Sequence, residues 1–343
     1  MPDPHQSPTV AAEPLLRAQA LTKHFRLGGM LSKQILHAVD DVELTINPRE
    51  IVALVGESGS GKSTVARLLA RIYKPTSGEI HYRGRPLRQL RSRRDTLWYR
   101  GEVGMVFQDP FSAFNPVHRI SHGITRNLAL HRPELSRAER RVEADRVSES
   151  VGLSTRLLSR FPHEMSGGER QRIGFAQALA LRPKLILADE PVSMLDVSIR
   201  AGILNLMLEL RDREDVSLLY ITHDLASARY VADRILVMYA GQIVEAGPTE
   251  SVLAQPQHPY TRLLLSAVAD PDNVEPEFIA DTGEPPRVIN PGEGCRFRWR
   301  CPLAIDVCET VTPLPRRVGA SEVACHVAGE LPAGVERQSA QSR

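Results

Sequence analysis

The stretch Ile51 to Thr64, with the sequence IVALVGESGSGKST, constrains the fold more than any other part of the chain. Its first five residues are apolar and predict a buried strand, and its last three predict the start of a helix. Between them, Gly56, Gly61, Lys62 and Ser63 match the spacing G-x-x-x-x-G-K-[ST]. Such glycines let backbone N–H groups surround a polyphosphate, and the helix N-terminus adds partial positive charge. The stretch therefore predicts a strand, a phosphate loop and a helix, with a nucleoside triphosphate as ligand.

The side chains of this phosphate loop indicate particular contacts. We expect Lys62 to reach the β- and γ-phosphates and Ser63 to ligate Mg²⁺. We assign nucleotide contact to four further residues of the loop, which are Ser58, Gly59, Ser60 and Thr64. An ordinary turn before a helix is the competing interpretation, but strand, loop and helix occur in the order that phosphate binding requires.

Composition indicates the size and class of the protein. The 343 residues are 42% hydrophobic, which is enough for one large domain or two of ordinary size. The chain has 43 Lys and Arg residues and 41 Asp and Glu residues, and the resulting net charge of +2 gives no support for a nucleic-acid partner. Residues 1–13 lack the apolar segment of an export signal, and no run of about 18 apolar residues occurs, so we expect a soluble chain.

Two adjacent carboxylates end a second apolar strand. Lys184 to Ala188 predicts a buried strand, and Asp189 and Glu190 follow it directly. Carboxylates at such a strand end need a cation or a bound water to offset their burial. We expect Asp189 to hold Mg²⁺ through its water shell, and Glu190 to orient and deprotonate an attacking water.

Three further residues are candidates for contact with the nucleotide. Gln108 follows the predicted strand Val103 to Phe107, where it could touch Mg²⁺ or the attacking water. His223 follows the predicted strand Leu218 to Thr222, where it could donate a hydrogen bond to a γ-phosphate. Phe25 precedes the phosphate loop and either stacks on a nucleobase or is one more core aromatic.

Residues 117–182 predict a mainly helical region that contains a second anion-binding candidate. The pentad Met165 to Glu169, MSGGE, stands at the start of a helix. There Ser166 and the amides of Gly167 and Gly168 lie at a positive helix terminus, which suits a γ-phosphate. The alternative is an ordinary N-cap and turn.

Three local predictions concern the helices and the last strands of this part of the chain. We expect the helix that opens at Lys62 to continue through Ile72, because its apolar positions recur at helical spacing. We expect Asp196 to be the N-cap of a helix that runs through Leu210. The stretch from Asp233 to Ala246 predicts a hairpin.

Taken in order, the phosphate loop, Gln108 and the sequences MSGGE, ILADE, SMLD and ITHD resemble those of ATP-binding cassette (ABC) ATPases. The resemblance covers about residues 14–265. It implies an α/β P-loop NTPase cassette with a RecA-like core, an antiparallel β subdomain and a helical subdomain at about residues 117–182. It also implies that two such subunits enclose ATP head to tail, with the phosphate loop of one facing the Ser166–Gly168 turn of the other.

The same resemblance implies a role for each motif residue. Phe25 would stack on adenine, and Gln108 would sense Mg²⁺ and the membrane partner. The Walker B aspartate, the catalytic base, the D-loop residue and the switch histidine would be Asp189, Glu190, Asp196 and His223.

Two motifs depart from the family pattern. The signature usually reads LSGGQ, and here Met165 and Glu169 replace its first and last residues. The D-loop usually reads SALD, and here Met194 replaces its alanine. Because Ser166 and the glycines after it supply the phosphate donors, we expect the signature to function, while the contribution of Glu169 stays open.

The C-terminal part resembles one branch of the family. Gln257 to Thr261, QHPYT, and the cysteine-containing stretch beyond it resemble the ATPases of oligopeptide/dipeptide and nickel importers. The run from Glu169 to Ile199 looks closer to the second, F-type, ATPase of a pair. This implies a head-to-tail heterodimer with a paralogous ATPase subunit, two transmembrane permease subunits and an extracellular or periplasmic substrate-binding protein. We therefore expect a peripheral protein at the cytoplasmic face of the cell membrane.

Four cysteines predict a metal site in a C-terminal extension at residues 266–329. They are Cys295, Cys301, Cys308 and Cys325, separated by 5, 6 and 16 residues. Four thiolates suit a 4Fe–4S cluster or a structural Zn²⁺ site, and the family resemblance favours the cluster, with zinc and unligated thiols as alternatives. Either metal would fold a proline-rich segment that has little core of its own. We expect residues 1–13 and 330–343 to be disordered.

The leading hypothesis is the ATPase subunit of an importer for peptides or similar small solutes. One competitor is a non-transport ABC ATPase that acts on nucleic acid or the ribosome, and another is a redox- or iron-sensing regulatory ATPase. Non-transport ABC proteins typically carry two cassettes or a long coiled-coil insertion. This chain has one phosphate loop and no heptad run, which favours the transport hypothesis.

Overall fold

The computed structural model describes residues 13–28, 33–109, 114–266 and 288–329. Within them the chain folds into two β-sheets with α-helices packed around them. The strands are β1 (Leu16–Arg26), β2 (Ile35–Ile46), β3 (Ile51–Val55), β4 (Ser77–Tyr82), β5 (Arg85–Pro86), β6 (Val103–Val106), β7 (Leu185–Asp189), β8 (Ser217–Thr222), β9 (Arg234–Tyr239), β10 (Gln242–Pro248), β11 (Arg316–Val318) and β12 (Ser321–Val323). The α-helices are α1 (Lys62–Leu69), α2 (Arg93–Glu102), α3 (Ile120–His131), α4 (Arg137–Ser150), α5 (Gly167–Leu179), α6 (Val197–Glu214), α7 (Leu225–Val231), α8 (Thr249–Ala254), α9 (Pro259–Ser266) and α10 (Val307–Thr310).

Parallel pairing in the main sheet brings the motif residues to one edge. The sheet has the order β11-β12-β10-β9-β3-β8-β7-β6, and its strands from β9 to β6 pair in parallel. Val55 at the end of β3 pairs with Thr222 at the end of β8, and Asp189 at the end of β7 pairs with Ile221. The phosphate loop, the carboxylates that end β7 and His223 therefore follow strands whose carboxyl ends lie at the same edge.

Strand β3 separates two hydrophobic clusters because its side chains alternate between the faces of the sheet. Ile51, Ala53 and Val55 pack in the cluster that contains α5, α6 and α7. Val52 and Leu54 pack in the cluster that contains α1 and the second sheet. That second sheet is antiparallel, with the order β2-β1-β4-β5. Both faces of β3 are thus covered, as its continuous apolar sequence predicts.

The region between β6 and β7 is mainly helical, as the sequence predicts. It contains α3, α4 and α5, with 3₁₀ turns at Thr155–Ser159 and Pro162–Glu164. A capping box starts α4, where the Ser136 hydroxyl and the Glu139 carboxylate each accept a hydrogen bond from the other residue's backbone N–H. Gly152, with φ of 73°, follows its end. Among the described residues, no helix combines the length and the hydropathy needed to cross a bilayer.

Two local predictions have different outcomes. Helix α1 ends at Leu69 and does not continue through Ile72, whose side chain is 51% exposed, so that prediction was wrong. The reason is the left-handed backbone of Arg71, with φ of 55°, which turns the chain away from the helix axis. The hairpin over β9 and β10 is confirmed, and its turn residues Ala240 and Gly241 both have positive φ.

The C-terminal extension continues the main sheet. Strand β12 pairs with the outer edge of β10, where Val323 lies opposite Glu245, and β11 pairs with β12. Only residues 288–329 of the extension are described. The segments expected to be disordered, 1–13 and 330–343, lie outside the described residues apart from residue 13.

The turn from β3 into α1 requires glycine at two positions. A Cβ at Gly56 would lie 2.1 Å from the carbonyl oxygen of Met238 in β9. A Cβ at Gly61, where φ is 108°, would lie 2.2 Å from the carbonyl oxygen of Ala38 in β2. Gly59 differs, because its φ is 79° but a Cβ there would have no neighbour within 4 Å. The loop therefore depends on close backbone contact at Gly56 and only on backbone conformation at Gly59.

We expect Gly56→Ala to destabilise the fold far more than Gly59→Ala. At Gly56 the added methyl group collides with backbone, which cannot rotate away, so the loss is at least about 3 kcal/mol. At Gly59 the methyl group meets only the left-handed penalty of about 1–2 kcal/mol. Urea denaturation of both variants measures the two losses. Equal stability of the two variants would show that the approach of Met238 does not constrain the loop.

Candidate nucleotide-binding and catalytic site

Lys62 is a buried cation held inside the phosphate loop. It is the first residue of α1 and is 4% exposed. Its Nζ donates hydrogen bonds to the carbonyl oxygens of Gly56 and Glu57, both at 2.7 Å. Burial lowers the pKa of the Lys62 ammonium, and the carboxylates around it, foremost that of Glu190, oppose this shift. The loop thus keeps its cation directed inward, where a phosphate would need it.

A direct hydrogen bond joins the two residues predicted to hold Mg²⁺. The hydroxyl of Ser63 donates to Oδ1 of Asp189 at 2.8 Å, although 126 residues separate them. Asp189 is 3% exposed, and its burial raises the pKa of its carboxyl group. A hydroxyl and a carboxylate are hard oxygen ligands of the kind that Mg²⁺ takes. The pair therefore fits the metal, which would relieve the cost of burying the Asp189 carboxylate.

Glu190, Gln108 and His223 come together from three strand ends. The carboxylate of Glu190 accepts a hydrogen bond from Nε2 of Gln108 at 3.0 Å and lies 3.5 Å from Nδ1 of His223. Its backbone has φ of 45°, and its N–H donates to the carbonyl of Ile221 in β8 at 3.0 Å. A strained backbone of this kind at a catalytic position directs a side chain that regular geometry would not. The structure therefore places the predicted base beside both predicted partners.

The turn after Glu190 presents Asp196 at the protein surface. The Asp196 carbonyl accepts hydrogen bonds from the N–H groups of Ile199 and Arg200, so the residue occupies the N-cap position of α6. This confirms the N-cap prediction, although the Asp196 side chain itself makes no capping hydrogen bond. The backbone carbonyl accepts the hydrogen bonds of the first turn of the helix, and the Asp196 side chain is exposed. Met194 nearby is 64% exposed.

The MSGGE pentad starts α5, and the hydrogen bonds within it give the unusual Glu169 a structural role. Ser166 is the N-cap, and its hydroxyl accepts a hydrogen bond from the N–H of Glu169 at 3.3 Å. The Glu169 carboxylate accepts in return from the Ser166 N–H at 2.8 Å and from its hydroxyl at 2.9 Å. Glutamate and glutamine serve equally at this position of a capping box, so Glu169 keeps the architecture of the turn.

The remainder of the pentad packs against α6. A Cβ on Gly168 would lie 2.6 Å from Cγ2 of Ile199, so α5 and α6 approach closely there. Ser166 is exposed and Gly167 is partly exposed. In the described residues, no hydrogen bond joins this turn to the phosphate loop or to Glu190. The two predicted anion-binding elements are therefore separate sites in a single chain.

Phe25 lies on β1 in the second sheet and is partly buried. Its ring meets the edge of Tyr73 at a centroid distance of 5.4 Å, and Nζ of Lys23 lies 5.0 Å from its centroid. The second sheet is tied to the phosphate loop through Gly241, which accepts from the N–H of Asp40 and donates to the carbonyl of Ser60. These contacts do not decide between adenine stacking and a core role, so the stacking of Phe25 stays a prediction.

The four cysteines gather in the extension as thiols without disulfides. Cys295, Cys308 and Cys325 are buried, and the N–H of Cys295 donates to the carbonyl of Cys308 at 2.8 Å. Burial, with a smaller contribution from the other three thiols, raises the pKa of Cys301 to about 12. All four cysteines are thus free thiols of one segment, as a shared metal site requires.

The spacing of the thiols bears on which metal they suit. A tetrahedral zinc ion with bonds of about 2.3 Å holds its sulfurs about 4 Å apart. No three cysteine sulfurs of the described residues lie within 4.8 Å of one another. The arrangement is wider than a single zinc ion needs.

Sequence reasoning missed two residues that contact the phosphate loop, Tyr260 and Arg300. The N–H of Glu57 donates to the hydroxyl of Tyr260 at 2.9 Å, and the Glu57 carboxylate pairs with Arg300. Glu57 stands at a variable position of the loop pattern, and 243 residues separate it from Arg300. No local signal in the sequence pairs residues so far apart.

Comparison with known proteins agrees with this geometry. Residues 39–193 match the ABC transporter family, and residues 244–308 match the C-terminal region of oligopeptide/dipeptide transporters. A probable peptide ABC transporter ATP-binding protein of Sinorhizobium fredii is 43% identical over 92% of this chain and 90% of its own length. A putative peptide import ATP-binding protein of Brucella abortus is 44% identical over 92% of this chain and 94% of its own length.

Solved cassettes share the fold. A dimeric ATP-binding cassette in a post-hydrolysis state with ADP and Pi superposes with a TM-score of 0.62 at 29% identity, over 68% of this chain and 98% of that one. A Clostridium perfringens cassette from an ABC transporter complex gives a TM-score of 0.61 at 26% identity, over 71% and 91%. The chain therefore belongs to the ATP-binding subunits of ABC transporters, in the group that carries the oligopeptide/dipeptide transporter C-terminal region.

Proposed function

We propose that this chain is the ATP-hydrolysing subunit of an ABC transporter that imports peptides. The observation that carries the proposal is the meeting of Lys62, the Ser63–Asp189 pair and Glu190 at one edge of the main sheet. A phosphate-binding cation, a pair of hard oxygen ligands and a carboxylate base are the groups that phosphoryl transfer to water uses, and this supports the proposal. The names of the relatives in Sinorhizobium and Brucella support peptides as the cargo.

Each part of the site has a separate task in hydrolysis. The loop amides and Lys62 would bind the phosphates, and Ser63 and Asp189 would hold Mg²⁺, which would supply positive charge to the phosphate oxygens. Glu190 orients the attacking water and accepts its proton. Gln108 and His223 fix the direction of the Glu190 carboxylate, since both contact it. His223, whose side chain is 57% exposed, would also donate a hydrogen bond to the γ-phosphate.

A second subunit completes the site in this proposal. Ser166 and Asp196 are exposed and Gly167 is partly exposed, and in the described residues no hydrogen bond joins their turn to the phosphate loop of the same chain. They would then close over the nucleotide bound by a partner, and the dimeric state of the similar solved cassette supports this arrangement. We propose that the partner is a paralogous ATPase. Two transmembrane permease subunits and an extracellular or periplasmic binding protein would complete the importer, with this chain at the cytoplasmic face.

The extension is proposed to hold a 4Fe–4S cluster through Cys295, Cys301, Cys308 and Cys325. Four thiolates are the usual ligands of such a cluster. The resemblance of the extension to the C-terminal region of oligopeptide/dipeptide transporters supports the cluster over zinc. The role proposed is structural, because residues 288–329 bury few apolar side chains of their own.

Replacing the proposed base separates binding from hydrolysis. We expect Glu190→Gln to bind MgATP like the wild type, to lose at least about a hundredfold in kcat, and to trap the closed dimer. Lys62→Ala is the control, because it should lose nucleotide binding itself. Titration calorimetry, phosphate release and gel filtration measure the three effects. Hydrolysis at the wild-type rate in Glu190→Gln would show that another group is the base.

Removing two thiols tests the metal site. Anaerobically purified protein should contain about four iron atoms per chain and absorb in the visible range, and Cys301→Ser with Cys308→Ser should abolish both signals. Loss of assembly in the variant would indicate a structural cluster, and intact assembly with altered redox response would indicate a sensor. Wild-type protein without iron or visible absorbance would overturn the cluster assignment.

A further inference from the structure

The phosphate loop and the cysteine-containing extension meet at an ion pair. Nη1 and Nη2 of Arg300 donate to the two carboxylate oxygens of Glu57 at 2.8 and 2.9 Å. Glu57 follows Gly56 in the loop, and Arg300 directly precedes Cys301. The side chain of Arg300 is 5% exposed and that of Glu57 is 25% exposed. A bidentate pair of this kind fixes the orientation of both groups.

Glu57 connects that pair to the cation of the site. Its carbonyl oxygen accepts from Nζ of Lys62 at 2.7 Å and from the N–H of Ser60 at 3.3 Å. Its N–H donates to the hydroxyl of Tyr260 at 2.9 Å. The carboxylate, the carbonyl and the amide of Glu57 are thus all engaged. A rotation of this residue would move the carbonyl that holds Lys62.

Aromatic rings hold the guanidinium in place. The guanidinium carbon of Arg300 lies 5.8 Å from the ring centroid of Tyr239 and 6.0 Å from that of Phe297. Tyr260 packs on Tyr239 at 4.5 Å and on Phe297 at 5.5 Å. Phe297 belongs to the extension, whereas Tyr239 and Tyr260 belong to the cassette. The pair therefore lies in a packed junction between the two, where a cation over ring faces is favoured.

The position of Arg300 follows from the fold of the cysteine segment. Its N–H donates to the carbonyl of Phe297 at 2.9 Å, in a turn that lies between Cys295 and Cys301. The N–H of Cys295 in turn donates a hydrogen bond to the carbonyl of Cys308. A change in the positions of the cysteines would therefore also change the turn that carries Arg300.

A second junction joins the extension to β2 and to the β9–β10 turn. Arg296, next to Cys295, donates hydrogen bonds to the Asp40 carboxylate and to the carbonyl of Ala240. His24 and His37 also bond to Asp40, so this cluster contains three potential metal ligands. The guanidinium of Arg296 already neutralises the carboxylate, which disfavours a cation there. The Arg296–Asp40 ion pair in this cluster is a second contact between the extension and the cassette.

We propose that Arg300 is a positioning residue of the nucleotide site, and that through it the state of the four-cysteine site sets the affinity for nucleotide. Arg300 fixes Glu57, and Glu57 fixes the carbonyl that directs Lys62 toward the phosphates. The inference rests on the proposed function, because it assumes that the loop binds MgATP. It goes beyond that function by making the extension part of the site.

A double-mutant cycle on the full-length chain tests the contact. Titration calorimetry with ATPγS and Mg²⁺ gives the Kd of the wild type, Arg300→Gln, Glu57→Gln and the double variant. We expect each single change to raise Kd about tenfold, since each removes a charge-assisted pair. The double variant should bind about as weakly as either single one, because the two residues act through one contact. Multiplied effects, or a wild-type Kd in Arg300→Gln, would overturn the proposal.

Two further variants separate positioning from general destabilisation. Arg317→Gln removes an exposed guanidinium from β11 of the same extension, outside the turn between Cys295 and Cys301, where it contacts the Gly319 carbonyl at 3.4 Å, and should leave Kd unchanged. Arg300→Lys keeps the charge but not the fork and should recover only part of the affinity. A raised Kd in Arg317→Gln equal to that in Arg300→Gln would contradict a role specific to Arg300.

The cysteines supply the last arm of the test. Cys301→Ser with Cys308→Ser should raise Kd in the wild-type background and change it no further in the Arg300→Gln background. An unchanged Kd in the wild-type background would refute the link to the cysteine site. Failure of the wild type itself to bind ATPγS would instead refute the proposed function, so the two failures are distinguishable.

Discussion

The register of β3, β8 and β7 is the constraint on which the site depends. These strands are adjacent and parallel, and their carboxyl ends coincide to within one residue pair. That coincidence brings the hydroxyl of Ser63 within 2.8 Å of Asp189 and sets Glu190 beside His223. A shift of one residue would turn each side chain to the opposite face of the sheet. The apolar sequences of the strands, buried on both faces, secure the register and thereby the chemistry.

Much of this arrangement could be predicted from the sequence, because each strand is a short apolar run that ends in a polar motif residue. The phosphate loop, the β7 carboxylates and the β9–β10 hairpin were found in this way. The end of α1 was not, since Ile72 continues the apolar spacing and nothing in the sequence marks the left-handed Arg71. The contact of Glu57 with Arg300 was not found either, because local patterns carry no information on partners 243 residues apart.

The two residues that depart from the family signature, Met165 and Glu169, preserve the geometry of the turn that starts α5. Glu169 takes the N3 position of a capping box, where its carboxylate accepts the hydrogen bonds that a glutamine would accept. Its negative charge lies at the N-terminus of α5, which favours it electrostatically. Met165 is buried, so it replaces one apolar residue by another. The turn that presents Ser166 is therefore preserved.

The pairing of β12 with β10 has a consequence for the self-association of the cassette. Glu245 and Ala246 pair with the extension, and Val244 accepts a further hydrogen bond from Ala324. Without the extension these backbone groups would form an open sheet border, to which strands from other molecules can add. The extension thus covers this edge of the sheet and prevents edge-to-edge strand pairing between copies of the chain. A cassette truncated before the extension would expose this edge, and it would need another element to cover the edge in order to remain monodisperse.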